Sequence, residues 1–322
     1  MSTKILTANY TANTLQPAAV ELTVPGDCAG LRLDQALARL LPDFSRSRLS
    51  AWVRRNLVTV DGRNVQPRQK LWGGEKICVL PELDPQVLAF QPQDIPLDIL
   101  YEDDALLVVN KPAGLVVHPG SGNWQGTLLN ALLQHAPALT HLPRAGIVHR
   151  LDKETSGLLV VAKTLAAQTD LVRQLQARTV SREYLAVAHG RVARDGKVES
   201  PIGRHPVKRT RMAVVVGGKP SVTYYHVVEH FAHATLLRCR LETGRTHQIR
   251  VHLDSIGHPI FGDPVYGRKP GRKSPREQDF GRQALHAEKL GLIHPDTKRA
   301  KSWHARLPRD MQELIKELRS QS

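Results

Sequence analysis

Asp152 sits in HRLDKETSGLLVVAKT, residues 149–164, with Arg150 and Lys153 close by and a hydrophobic run just behind. Neighbouring cations favour the ionised form of a carboxyl group. An ionised carboxylate that faces a cleft can act as a nucleophile. A loop aspartate in an ordinary salt bridge has the same neighbours, so the tripeptide Arg-Leu-Asp decides nothing alone. The chain repeats that tripeptide as Arg32-Leu33-Asp34, inside a predicted helix. The specific signal is the whole string over 149–164.

Two further side chains suit a site around such a carboxylate. Tyr184 stands in REYLAVAHG, whose strand pattern can turn it toward a cleft. A half-buried strand tyrosine with a partner for its hydroxyl fits the same pattern. Arg250 falls on a helix predicted over 246–256, with Thr246, after Gly244, as its N-cap. Ile249 and Leu253 share one face of that helix, and Arg250 is turned from it by about 100°. Arginine stays charged when desolvated and matches a carboxylate in bidentate fashion. An arginine on the outer face of an amphipathic helix has the same spacing.

Other chemistries find little support. The 15 histidines include no HExxH, and His247 and His252 are five apart, which does not put them on one helical face. No metal is expected. Cys28, Cys78 and Cys239 are far apart and form no CxxC pair, as free thiols would be. There is no Walker loop and no GxGxxG, so no nucleotide cofactor is expected.

The net charge of +15 points to a polyanionic partner. The excess sits in three clusters free of acids: Arg46, Arg48, Arg54 and Arg55; Arg204, Lys208, Arg209 and Arg211; and Arg268, Lys269, Arg272, Lys273 and Arg276. Separate patches suit a folded RNA touched at several places. The third, GRKPGRKSPRE, reads as a basic loop.

These residues need elements to hold them. A chain of 322 residues favours two domains. Residues 1–30 read as an N-terminal extension without a signal-peptide pattern. Residues 31–80 read as a small module. Leu33, Leu37, Leu40 and Leu41 fall at helical spacing, and Leu49, Trp52 and Val53 face away from the arginines of a second helix. A hairpin follows in LVTVDGRNV, with Asp61-Gly62 at its turn, and then a strand over 75–80. Residues 81–96, with Pro81, Pro85, Pro92 and Pro96, read as a linker. Residues 97–322 are strand-rich, with helices over 165–178, 246–256 and at the end of the chain. In the terminal helix, Met311, Leu314, Ile315 and Leu318 fall at i, i+3, i+4 and i+7. Strand runs joined by short turns predict an α+β domain with a mixed or antiparallel sheet. No apolar run is long enough to span a bilayer, so a cytoplasmic protein without membrane contact is expected.

Four strings carry a resemblance. NKPAGLVVHPG (110–120), HRLDKETSGLLVVAKT (149–164), VSREYLAVAHG (180–190) and LETGRTHQIRVHLDSIGHPIFGDPVYG (241–267) resemble, in order, the motifs of the ribosomal RNA pseudouridine synthases. The stretch LRLDQALARLLPDFSRSRLSAWVRRNLVTVDG resembles the S4 RNA-binding module. Together they cover almost the whole chain. The resemblance implies a catalytic domain with a central cleft, preceded by an S4-like module.

It also implies roles. Asp152 is the nucleophile in detaching uracil from C1′ of its ribose, after which the ring turns and rejoins through C5. Attack on C1′ and departure of uracil through a glycal intermediate are both open. Tyr184 packs on the everted base and serves as general base for the C5 proton. Arg250 pairs with Asp152, and Ile249 packs against the base. Arg150 fills the space the uridine leaves or holds its phosphate. His149 orients the loop, and Lys111, Pro112, Gly157 and Gly244 are scaffold. The isomerisation needs no cofactor or metal.

The strings look closest to the branch acting on the helix 69 stem-loop of 23S ribosomal RNA. The implied partner is 23S ribosomal RNA or a large-subunit precursor, met by a monomer through the arginines of the S4-like module and the segment 204–211. Competing readings are a relative with other target sites, an RNA N-glycosidase drawing on Glu154, Glu183 or Glu242, and a non-catalytic ribosome assembly factor.

Overall fold

The computed structural model describes residues 18–82, 89–120, 122–267 and 280–321. The third basic cluster, with Arg268, Lys269, Arg272, Lys273 and Arg276, lies outside the described residues. So do 1–17 of the expected extension and 83–88 of the expected linker. The described residues divide into two compact units, one before residue 83 and one from Ala89 onward.

The smaller unit contains β1 (Val20–Thr23), α1 (Leu33–Leu40), α2 (Arg46–Arg54), β2 (Val58–Val60), β3 (Arg63–Asn64) and β4 (Lys76–Val79). Its sheet runs in the order β1-β4-β2-β3, all antiparallel. Leu33, Leu37, Leu49, Trp52 and Val53 bury the inner helix faces against Val58, Ile77 and Val79. Ser45 caps α2 by accepting from the Arg48 N–H. Asp61 and Gly62, at φ 48° and 73°, make the hairpin turn. The unit begins before the boundary at residue 31 read from the sequence. The cause is β1, a four-residue strand too short to show a pattern of its own, which is held by pairing with β4.

The larger unit is built on one mixed sheet. Its strands are β5 (Ile99–Glu102), β6 (Leu106–Lys111), β7 (Ser156–Ala162), β8 (Ser181–His189), β9 (Gly196–Glu199), β12 (Val222–His230), β13 (Ala234–Leu241), β14 (Leu285–Ile293) and β15 (Ala300–His304). The order is β5-β6-β7-β14-β8-β13-β12-β9, with β15 paired to β14. Only β7 and β14 run parallel, through His286 opposite Ser156 and Ala287 opposite Gly157. β10 (Ile202–Arg204) and β11 (Met212–Val214) form a separate antiparallel ribbon. The helices are α3 (Leu128–His135), α4 (Leu165–Gln176), α5 (Gln248–Ser255) and α6 (Arg309–Ser320). The apolar stripe of α6 seats Met311, Leu314, Ile315 and Leu318 in the same core as Leu159, Val187 and Leu237. The α+β class with a mixed sheet matches the reading from sequence.

The centre of this sheet fixes three points. The Asp152 loop leads directly into β7, Tyr184 lies on β8, and β14 runs between those two strands. At the parallel contact, Gly157 has φ 112°, and a Cβ there would lie 2.3 Å from the Ala287 carbonyl oxygen. Only glycine lets the two backbones approach this closely.

Candidate active site

The loop that carries Asp152 is tied down from below. Lys111, 1 % exposed, donates to the carbonyls of Pro112, Leu115 and Lys153 at 2.7, 2.9 and 2.9 Å. Three acceptors match the three N–H bonds of an ammonium. Burial nevertheless pushes the Lys111 pKa down to about 7. His149 accepts the Val160 N–H on Nε2, at 3.1 Å, and burial pushes its pKa down to about 3. It therefore stays neutral and ties the loop to the middle of β7. Arg282 adds a bond to the Glu154 carbonyl, and the Asp152 carbonyl accepts from Thr155 N–H.

Arg250 reaches the loop from α5. Nη1 donates to Asp152 Oδ2 at 2.9 Å. The pair is monodentate because the bidentate fork is turned the other way. Nε and Nη2 donate to Asp263 Oδ2 and Oδ1 at 2.7 and 3.0 Å. Asp263 also accepts from the N–H groups of Val265 and Tyr266. Burial pushes the Asp263 carboxyl up, but these hydrogen bonds and the Arg250 charge outweigh it and hold it below the usual carboxylate range. Burial likewise works against the Arg250 charge, and the two carboxylates more than offset it.

The start of α5 differs from the expectation. Thr246 is not its N-cap. The helix begins at Gln248, preceded by His247 in the left-handed conformation, φ 57°. Gln248 supplies the bonds instead. Its Oε1 accepts from Thr243 Oγ1 and Arg245 N–H, and its Nε2 donates to Val222 O and Thr223 Oγ1. One buried amide thus pins the helix start to β12.

The turn at His247 brings that ring to the carboxylate. His247 Nε2 lies 3.8 Å from Asp152 Oδ1, and Nδ1 lies 2.9 Å from the Tyr266 hydroxyl. That hydroxyl also accepts from the Met212 N–H at 2.8 Å. Burial pushes the His247 pKa down, against the pull of Asp152. The Tyr266 ring also lies 5.0 Å from the Arg250 guanidinium carbon.

Asp152, Tyr184, Arg250, Ile249 and Arg150 all line one cavity of about 840 Å³. Tyr184 is 6 % exposed, and its hydroxyl has no hydrogen-bond partner among the described residues. Burial and the Asp152 charge push its pKa up, while Arg182 pulls the other way. Ile249 is 4 % exposed, whereas Arg150 is exposed at the cavity rim.

Within the larger unit, the remaining basic candidates are not among the residues that line this cavity. Arg204, Lys208, Arg209 and Arg211 sit in or beside the loop that joins β10 to β11. Arg204 Nη1 donates to the Arg209 carbonyl, and His205 Nδ1 accepts from the N–H groups of Val207 and Lys208. Of the arginines of α2, Arg46 pairs with Asp34, Arg55 pairs with Glu82, and Arg48 stacks on Phe44 and Trp52. Asp34, in the second copy of Arg-Leu-Asp, is an ordinary salt-bridged residue between Arg32 and Arg46.

Sequence reasoning missed Asp263, His247 and Tyr266. All three were inside the quoted string over 241–267, but nothing in its spacing says which side chains turn back toward Asp152. Among the described residues no cluster of metal-ligating side chains occurs, and no helix is long and apolar enough to cross a membrane.

A carboxylate paired with a buried arginine and a tyrosine in one cavity of mixed polar and apolar lining, beside the centre of a mixed sheet, narrows the class. The family model of RNA pseudouridylate synthases matches residues 105–255. The chain belongs to the RNA pseudouridylate synthases, within their RluA/RluD group, and is an isomerase of RNA. It is 58 % identical over 303 residues to ribosomal large subunit pseudouridine synthase D of Nitrosomonas europaea, covering 94 % of this chain and 88 % of that one. It is 52 % identical over 306 residues to the protein of the same name from Escherichia coli K12, covering 92 % and 94 %. Among solved structures, human RNA pseudouridylate synthase domain containing 1 superposes with a TM-score of 0.55 at 28 % identity, covering 71 % of this chain and 96 % of that one.

Proposed function

We propose that the chain converts uridines of large-subunit (23S) ribosomal RNA to pseudouridine, with Asp152 as nucleophile and the helix 69 stem-loop as target. The observation that carries this reading is the 2.9 Å pair of Asp152 and Arg250 in a cavity that Tyr184 also lines. The large-subunit target rests on the name shared by the relatives above.

A paired uridine must leave its stack before Asp152 can reach its ribose, and that costs a few kcal/mol. Arg150, exposed at the rim, fills the vacated space or holds the nucleotide's phosphate. Ile249 and Tyr184 then hold the base between an apolar and an aromatic surface. The C1′–N1 bond breaks and a C1′–C5 bond forms. N1 gains a proton and C5 loses one, so atoms and electrons balance without a co-reactant. Asp152 serves either as the atom that adds to C1′ or as the base that opens a glycal route. Arg250 steadies its charge in both.

Tyr184 takes the C5 proton. If Asp152 becomes an ester, its negative charge disappears, and one of the influences holding the phenol protonated goes with it. The smaller unit acts as an S4-like module whose arginines, with those of the 204–211 loop, hold RNA phosphates.

The test is nucleoside analysis of 23S ribosomal RNA treated with the wild-type chain and with Asp152→Asn. Wild type yields pseudouridine without free uracil, and the variant yields none while still binding RNA. Free uracil and abasic RNA mean hydrolysis. Undiminished pseudouridine from Asp152→Asn removes the nucleophile.

A further inference from the structure

Among the described residues, Arg182 is a buried cation without a hydrogen-bonding partner. It is 7 % exposed, and its Nε is fully buried without a hydrogen-bond partner. Among the described residues, no carbonyl, hydroxyl or carboxylate accepts from its guanidinium. The nearby carboxylates are engaged elsewhere. Glu242 pairs with Arg178 and accepts from the Tyr224 hydroxyl. Glu183, the adjacent residue on β8, faces Arg238 and Lys289. Arginine cannot shed its proton to escape burial, and an unpaired buried charge is costly. A side chain kept in this state is poised for a ligand.

The surroundings say which. Arg182 lines the same cavity as Asp152. It lies two residues before Tyr184 on β8, so the two side chains leave the same face of the strand about 7 Å apart. Its guanidinium lies against Gly244, where a Cβ would come within 2.6 Å of Nη1. The absence of a side chain there leaves the fork open to the cavity. Six arginines line that cavity, Arg144, Arg150, Arg178, Arg182, Arg245 and Arg250, against the two carboxylates Asp152 and Glu242. The balance favours an anion over a neutral acceptor, and a phosphodiester offers two oxygens at the spacing of a guanidinium fork.

We infer that Arg182 is the binding site for one backbone phosphate of the RNA, next to the everted nucleotide whose ribose meets Asp152. This rests on the isomerase reading for the nature of the ligand, and it deepens that reading with a second anchor. Arg150 meets the strand at the rim, and Arg182 meets it inside.

The experiment uses full-length Asp152→Asn, so that binding is measured without turnover. The probe is a synthetic helix 69 stem-loop in which one phosphate at a time is replaced by a neutral methylphosphonate. Arg182→Met is expected to weaken binding roughly tenfold or more and to lower the salt slope by about one unit. One methylphosphonate position should weaken the parent to a similar degree and leave Arg182→Met unchanged. Arg182→Lys should bind with intermediate affinity. Without RNA, Arg182→Met should melt no lower than the parent, because the charge it removes has no partner.

Losses that add at every phosphate position overturn the proposal. So does unaltered affinity, or a fall in melting temperature that explains the affinity loss. Coupling to a change in uracil O2 or O4 rather than to a phosphate assigns Arg182 to the base and overturns it as well. Failure of the isomerase reading shows separately, as absence of pseudouridine from the wild-type chain.

Discussion

Asp263 grips Arg250 through two hydrogen bonds of 2.7 and 3.0 Å and is itself only 1 % exposed. Arg250 is thereby aimed before any RNA arrives. The cation that meets Asp152 is set by a second carboxylate thirteen residues further along the chain than Arg250.

Removing that grip should cost both fold and rate. Asp263→Ala leaves Arg250 buried with one carboxylate instead of two. A loss of about 3–5 kcal/mol is expected, as for breaking a buried ion pair. Asp263→Asn keeps the shape and should lose less stability. Its single-turnover rate should still fall by about tenfold or more while RNA affinity holds. Thermal melts and single-turnover assays on both variants check this. An Asp263→Asn protein with the parent's rate removes the positioning role.

The Tyr266 hydroxyl serves two groups at once, accepting from Met212 N–H and sharing a hydrogen bond with His247 Nδ1. Tyr266→Phe should destabilise by about 1 kcal/mol, because two half-buried partners lose a hydrogen bond. It should also free the His247 ring to turn and slow the reaction with little change in RNA affinity. If the rate is untouched, His247 has no part in orienting Asp152.

His286 makes stability pH-dependent. It is 1 % exposed, bonded to Ser156 Oγ and to the Ala305 carbonyl, and burial pushes its pKa from 6.5 down to about 4. Between those values the unfolded chain binds more protons than the folded one. The contribution is therefore complete above about 6.5 and lost as pH falls toward 4. One such group costs about 2 kcal/mol between pH 7 and pH 5. His149 acts in the same direction. Melts at pH 7 and pH 5 should show a smaller drop for His286→Gln than for the parent. Equal drops would sink the assignment.

The parallel contact predicts an intolerant position. Gly157→Ala puts a methyl group against backbone atoms of Ala287 at φ 112°. The strands must separate, and a loss above about 3 kcal/mol is expected, read as a lower melting temperature or insoluble protein. A variant that melts with the parent contradicts the close approach.

Much of the fold shows in local pattern. Leu33 and Leu37, Leu49 and Trp52, and the Met311 to Leu318 stripe are periodic because each helix buries one face. Asp61-Gly62 announces its own turn. Strand β1 did not show, because its place depends on a partner more than fifty residues away. The parallel pairing of β7 with β14 is equally silent, since no local residue records a neighbour 130 positions distant. In the site, Asp152, Tyr184 and Arg250 stood out within long strings, and all three line the same cavity. Asp263 did not, because an aspartate in Gly-Asp-Pro reads equally well as a turn. Arg182 was visible only as a strand residue, since a missing partner is a property of the assembled fold. The cap on α5 went to Gln248 because a tertiary amide bond to β12 outweighed the local preference for Thr246.

The order β7-β14-β8 has a consequence for how the protein is made. The strand that wedges between the carboxylate-bearing loop and the tyrosine-bearing strand follows both of them in the chain. A nascent chain, or one truncated before residue 285, lacks the spacer that sets the two groups across from each other. The loop and the tyrosine strand therefore reach their final spacing only once β14 has been threaded between them.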